Sequence, residues 1–199
     1  LLRQALGTQQ LPPTQVITSL SLFMTMFVMM PVWQQAYDEG LAPYIDKQPI
    51  PHLQAGESVQ MRVFENTLQP IRRFMISQIS AAGGDDVVLM LIDYRRPDPS
   101  TSAGREWKEP ENLEDVESSI LVTAFMLTEL KTAFLIGFQI FLPFLIVDLV
   151  VATILTGMGM MMLPPTLISL PFKVLLFVLI DGWTLTVAML LDSVAAAAG

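Results

Sequence analysis

Residues 119–156 read SILVTAFMLTELKTAFLIGFQIFLPFLIVDLVVATILT, and this stretch decides the fold. Its only charged residues are Glu129, Lys131 and Asp148. As one helix it would be about 57 Å long, against a hydrocarbon core of about 30 Å. That is too long for one straight crossing, and Pro143 near the middle is the expected kink or break. A second apolar block, 163–191, is also longer than one span needs. Between them stands Gly157-Met158-Gly159-Met160-Met161-Met162-Leu163-Pro164-Pro165. Glycines before and prolines after mark a turn. The two blocks are therefore expected to form a helical hairpin with a methionine-rich tip.

A third apolar block, 16–33, carries no charge and follows Pro12-Pro13, a suitable helix start. It is nearly long enough to cross a bilayer. Pro31 falls in its expected last turn, and Trp33 and Tyr37 stand where interfacial aromatics would. The middle, 34–118, is of another kind. It holds 15 of the 19 acidic and 8 of the 11 basic residues, hence a net charge of −7 out of −8. Within it Val59, Val63, Phe64, Leu68, Ile71, Phe74, Met75 and Ile79 recur at helical spacing, and Gly83-Gly84 ends the pattern. Residues 87–92 are apolar and fit helix or strand. The proline-rich stretch 95–110 reads as an exposed loop. Glu111, Glu114, Asp115 and Glu117 favour the N-terminus of the helix that follows.

The expected fold is all-α: integral-membrane-type helical hairpins with a polar helical middle, assembled into a ring with other subunits. The expected segments are an N-terminal apolar helix (1–37), a polar acidic region (38–118), the hairpin (119–192) and a tail (193–199). The opening Leu1-Leu2-Arg3-Gln4 reads as a helix already under way, so an upstream segment with a signal peptide is expected. Lysine and arginine counting does not orient the chain. The connection at Gly157 has neither, and the middle is long enough to translocate whatever its charge.

Hydrophobic residues make up 52% of the chain and charged residues 15%, where soluble domains carry about a quarter charged. Mean hydropathy is +0.53. With no cysteine, disulfides and thiol chemistry are excluded, and the single histidine, His52, removes most metal sites. The net charge of −8 argues against a nucleic-acid partner. No HExxH, G-x-S-x-G or P-loop is present, so neither an enzyme nor a cofactor is expected. Asp148 with Asp181 as an intramembrane aspartyl dyad is a weak signal, because any two aspartates in two helices would match it.

Three features remain as candidate sites. The first is the set of ionisable residues in apolar blocks: Glu129, Lys131, Asp148, Lys173 and Asp181. Each is costly against lipid and is expected to face protein or water. Glu129 and Lys131 are two apart and cannot pair along one helix. Glu129 with Lys173 is the natural proposal, more readily a register-fixing pair than a gate that opens. The second is the cluster Met160, Met161 and Met162. A methionine run is ordinarily core, but this one lies in a turn. Repeated around an axis, such flexible thioethers form a soft closure. The third is Gly137, Gln139, Gly182, Thr184 and Thr186, read as close helix packing.

Several stretches together resemble a known family. They are Leu2-Arg3-Gln4-Ala5-Leu6-Gly7-Thr8-Gln9-Gln10-Leu11-Pro12-Pro13, Glu129-Leu130-Lys131-Thr132-Ala133-Phe134 and Gly137-Phe138-Gln139-Ile140-Phe141-Leu142-Pro143-Phe144-Leu145-Ile146-Val147-Asp148. Gly159-Met160-Met161-Met162-Leu163-Pro164-Pro165, Leu170-Pro171-Phe172-Lys173 and Asp181-Gly182-Trp183 continue the match. The chain resembles the FliP/SctR family of type III export-gate proteins over residues 1–33 and 119–192. The wording at Arg3 to Thr8 and at Pro171-Phe172-Lys173 resembles the flagellar branch rather than the injectisome branch. The resemblance implies a ring with FliQ- and FliR-like subunits, FlhB docked on it, and unfolded flagellar proteins as cargo. It implies the bacterial inner membrane and flagellar basal body, with the middle region on the periplasmic side. It places a gasket on Met160, Met161 and Met162 and an intersubunit contact on Glu129 and Lys173. A small-solute transporter and a scaffold around a pore made by other chains are the rivals. The first would need internal repeats, and none is visible.

Overall fold

The computed structural model describes residues 2–7, 12–47, 49, 58–98, 107–108, 110, 112–160 and 163–195. Among these residues every regular element is helical. Helix α1 is the short turn Leu2–Ala5, and α2 is Thr14–Ala36, continued by a π-helical turn at Tyr37–Leu41 and by α3, Ala42–Ile45. Then come α4 (Val59–Ala81), α5 (Asp85–Arg95), a 3-10 turn at Leu113–Asp115, α6 (Ser118–Gly157), α7 (Pro165–Leu179) and α8 (Gly182–Ala195). The stretch Thr14–Ile45 and helix α6 are each long and apolar enough to cross a membrane, and two bent helix pairs would bring the total to four.

The chain forms two compact units, residues 25–130 and residues 1–24 with 131–195. Their boundaries fall inside α2 and α6, not at 37/38 and 118/119. A helix keeps its own hydrogen bonds while the surface it packs on changes.

In the polar unit, residues 87–92 belong to helix α5. Asp85 and Asp86 at its start and Arg95 at its end complement the helix dipole. Val88 and Ile92, four apart, turn inward and join Ile79, Val116, Leu121 and Ala124 in a core. Helix α4 meets α5 at 112° across Gly83-Gly84. Its apolar stripe is only partly covered: Val63 and Ile79 are buried, but Val59, Phe64 and Leu68 are exposed. The expected exposed loop is not wholly so. Trp107 packs against the core, with the Arg96 guanidinium 5.2 Å from its ring centre.

Arg72 ties this unit together. Its guanidinium donates to Ser118 Oγ at 2.9 Å, to the Glu114 carbonyl at 2.8 Å and to the Val116 carbonyl. The five donors of a guanidinium allow one side chain to hold the whole entry to α6. Nearby, Arg73 pairs with Glu39 at 2.5 Å. The π-helical turn lies against α4 so closely that a Cβ on Gly40 would stand 2.7 Å from the Thr67 backbone.

In the membrane-type unit, α6 runs unbroken through Pro143. Of the expected kink or break, the break is absent. Proline removes one intrahelical hydrogen bond, whereas interrupting a helix in apolar surroundings would strand several backbone groups at several kcal/mol each. The same reasoning covers Pro31 and Pro171, both inside helices. The block 163–191 is instead two helices, α7 and α8, bent by 61°. The bend lies at Ile180-Asp181, where Asp181 takes φ of 49°.

Candidate functional site

The hairpin begins with how α6 stops. Gly159 has φ of +74°, a conformation that costs glycine nothing. The Met160 amide then donates to the Leu155 carbonyl and the Gly159 amide to the Thr156 carbonyl, both at 3.0 Å. This paired closure satisfies carbonyls that the helix end would leave open. Pro164 and Pro165 start α7 on the far side, where a missing N–H does no harm. Met158 and Met160 at the tip are exposed by 67% and 41%. Met161 and Met162 lie outside the described residues. Below the tip the two arms form an apolar groove of about 520 Å³, walled by Val150, Ile154, Met158, Ile168 and Phe172.

One polar cluster lies inside this apolar hairpin. Lys173 Nζ donates to Asp148 Oδ2 at 2.5 Å, and Ser169 Oγ donates to Asp148 Oδ1 at 2.5 Å. Ser169 and Lys173 are four apart on α7 and so share the face that meets α6. The Lys173 side chain is 4% exposed and that of Asp148 29%. Both carboxylate oxygens are thus engaged, the condition under which a buried charge is tolerated. Ser169 Oγ also lies 3.3 Å from the Thr166 carbonyl, so the hydroxyl is held between Asp148 and the backbone of its own helix. Phe144 and Phe177 pack beside it with ring centres 6.3 Å apart. Gly182 is pressed to the Phe177 ring, where a Cβ would come within 2.2 Å.

Within the chain, Lys173 is held by Asp148 and not by Glu129. Helical spacing shows which residues share a face, but not which face of the next helix they meet. Glu129 is half-buried, and its side chain has no hydrogen-bond or ion-pair partner among the described residues. Lys131 is exposed on the single chain. Asp181 is exposed and stands in the break between α7 and α8. It is not a buried helical residue. Its short polar side chain tolerates the left-handed backbone there, and its carbonyl accepts the first hydrogen bond of α8, from Leu185. Asp148 and Asp181 thus have separate structural roles. Sequence reading missed Ser169, because a lone serine on an apolar helix carries no signal until its partner is known. Among the described residues, no three histidine or carboxylate side chains gather as a metal site would need.

Comparison with known proteins agrees with this architecture. The model of the FliP family matches residues 1–190. The "Flagellar biosynthetic protein FliP" of Caulobacter vibrioides is 43% identical over 199 residues, which is all of this chain and 66% of that protein. The protein of the same name from Bacillus subtilis is 43% identical over 191 residues, 96% of this chain and 76% of its own length. That of Aquifex aeolicus is 42% identical over 193 residues, 97% of this chain and 72% of its own. The chain therefore spans between about two thirds and three quarters of these relatives. The match runs through the middle region as well as the apolar blocks, and with it the chain is shown to belong to the FliP family.

Proposed function

We propose that this chain is a pore-forming core subunit of the bacterial flagellar type III export gate. In this reading it passes unfolded flagellar proteins across the inner membrane at the flagellar basal body. It is a conduit and not a catalyst, and the energy for transport comes from other components. Copies of the chain form a ring with FliQ- and FliR-like subunits, and an FlhB-like subunit docks on it. The acidic middle faces the periplasm.

The observation that carries this reading is a methionine-bearing tip on a hairpin whose arms are pinned by a buried ion pair. Flexible thioethers at the tip can close against copies of themselves and deform around a passing chain. The ion pair keeps the arms in fixed register while the tip adapts. Glu129, lacking a partner in its own chain among the described residues, supplies a contact to a neighbouring subunit. Lys173 stays with Asp148.

Replacing Met160, Met161 and Met162 together with alanine tests the gate. The expected result is a raised ion leak across membranes that hold the assembled complex. An unchanged leak, with assembly verified by co-purification, overturns the gate role.

A further inference from the structure

The N-terminal stretch Gln4–Gly7 has a place in the hairpin that its sequence does not announce. Ala5 is fully buried and Leu6 is 8% exposed, and both pack with Phe144 of α6 and Phe177 of α7. One turn of chain therefore touches both arms at once. Gly7 follows with φ of +71°, its amide donating to the Gln4 carbonyl at 3.1 Å. Gly7 lies close to α7. A Cβ built on it would lie 3.5 Å from Leu170 Cδ1 and 3.7 Å from Lys173 Nζ. The turn thus lies against the ammonium of the ion pair while sharing an apolar cluster with Phe144 of α6.

We propose that Gln4–Gly7 is a strap that clamps the two hairpin arms around the Asp148–Lys173 pair, and that its seating holds the methionine tip closed. The inference rests on the gate reading above. Two apolar side chains span the arms, so the strap resists their separation. Its backbone excludes water from the lysine end of the pair. Gly7 is the positioning residue, because the Gln4–Gly7 turn ends in a left-handed conformation that glycine adopts without cost. The space at Gly7 is ordinary van der Waals room, so a side chain there acts through φ and not through collision.

That distinction sets the test. At φ near +70° a β-branched residue is strongly disfavoured, whereas asparagine is tolerated. The chain has no cysteine, so Ala5→Cys gives one specific reporter of strap seating. In the assembled complex this cysteine is expected to resist a water-soluble maleimide. Adding Gly7→Val should raise its labelling rate at least tenfold and, in the chain without the reporter, raise ion leak. Gly7→Asn should return both to near the wild-type level. Should Gly7→Val reduce assembly, Leu6→Ala offers a milder release with the same two readouts. Ala5→Cys that stays protected in Gly7→Val overturns the strap. So does exposure without added leak, when the triple methionine-to-alanine variant does leak. If the triple variant does not leak, the gate reading has failed, and the strap's role in closure falls with it. The labelling response still separates that failure from the failure of the strap itself.

Discussion

Among the described residues both units bury apolar side chains, but the buried charge, Lys173, belongs to the membrane-type unit. In the polar unit the most enclosed side chains include Ile79, Val88, Val116 and Leu121. In the membrane-type unit Lys173 and Ser169 are among the most buried residues, while Phe134, Phe138, Phe172 and Val178 are more than half exposed on the single chain. The physical reason lies in what surrounds each unit. Water drives apolar surface inward in the first. In an apolar environment that drive vanishes, and packing and polar pairing hold the helices together. Charge position reflects the same split. Arg72 and Arg73 work at the surface of their unit, whereas Lys173 works at the centre of its own.

The largest expected effect comes from breaking the inner pair. Asp148→Asn leaves a 4% exposed ammonium without its counter-charge. Breaking one side of a buried pair costs about 3–5 kcal/mol, and the assembled complex should be lost or melt much lower by thermal unfolding in detergent. The double exchange Asp148→Leu with Lys173→Met should recover most of that stability, since well-packed apolar replacements are often neutral. If Asp148→Asn alone melts like the wild type, the pair is not what holds the hairpin.

Arg72→Met should weaken the polar unit by about 1.5–3 kcal/mol, the scale for hydrogen bonds made by a charged group. Limited proteolysis should then cut near the 3-10 turn at Leu113–Asp115, which that side chain secures. Unchanged proteolysis would show that the turn stands without it. Gly40→Ala and Gly182→Ala compare the two units at a tight contact. At Gly40 the new Cβ meets the Thr67 backbone, which cannot rotate away, and at Gly182 it meets the Phe177 ring, which can. Overpacking costs about 1–3 kcal/mol, so Gly40→Ala should sit at the upper end and Gly182→Ala at the lower in thermal melts. The reverse order would mean that the ring at Phe177 is the more rigid wall. Arg73→Ala, which removes a half-exposed pair with Glu39, should change stability by under about 1 kcal/mol.

Much of this was legible before any coordinates. Apolar block length, the Gly157 to Pro165 punctuation and the charge asymmetry are local properties of the chain. They determined an all-helical protein, a hairpin with a methionine tip and a separate acidic region. The tip residues and the buried polar candidates could be named on the same basis, because each is unusual in its own neighbourhood. What the chain could not show alone is which helix faces meet. Pro143 reads as a kink or break and does not break α6, since the cost of interrupting a helix depends on its surroundings. Within its own chain Lys173 meets Asp148, a pairing the sequence did not announce, since that choice depends on how α6 and α7 cross. The opening stretch reads as a helix already under way, but Ala5, Leu6 and Gly7 lie against the ion pair, since their burial depends on residues more than a hundred positions away. Sequence periodicity specifies one helix at a time. Pairing, burial and coverage belong to the contacts between helices, and only the tertiary structure decides them.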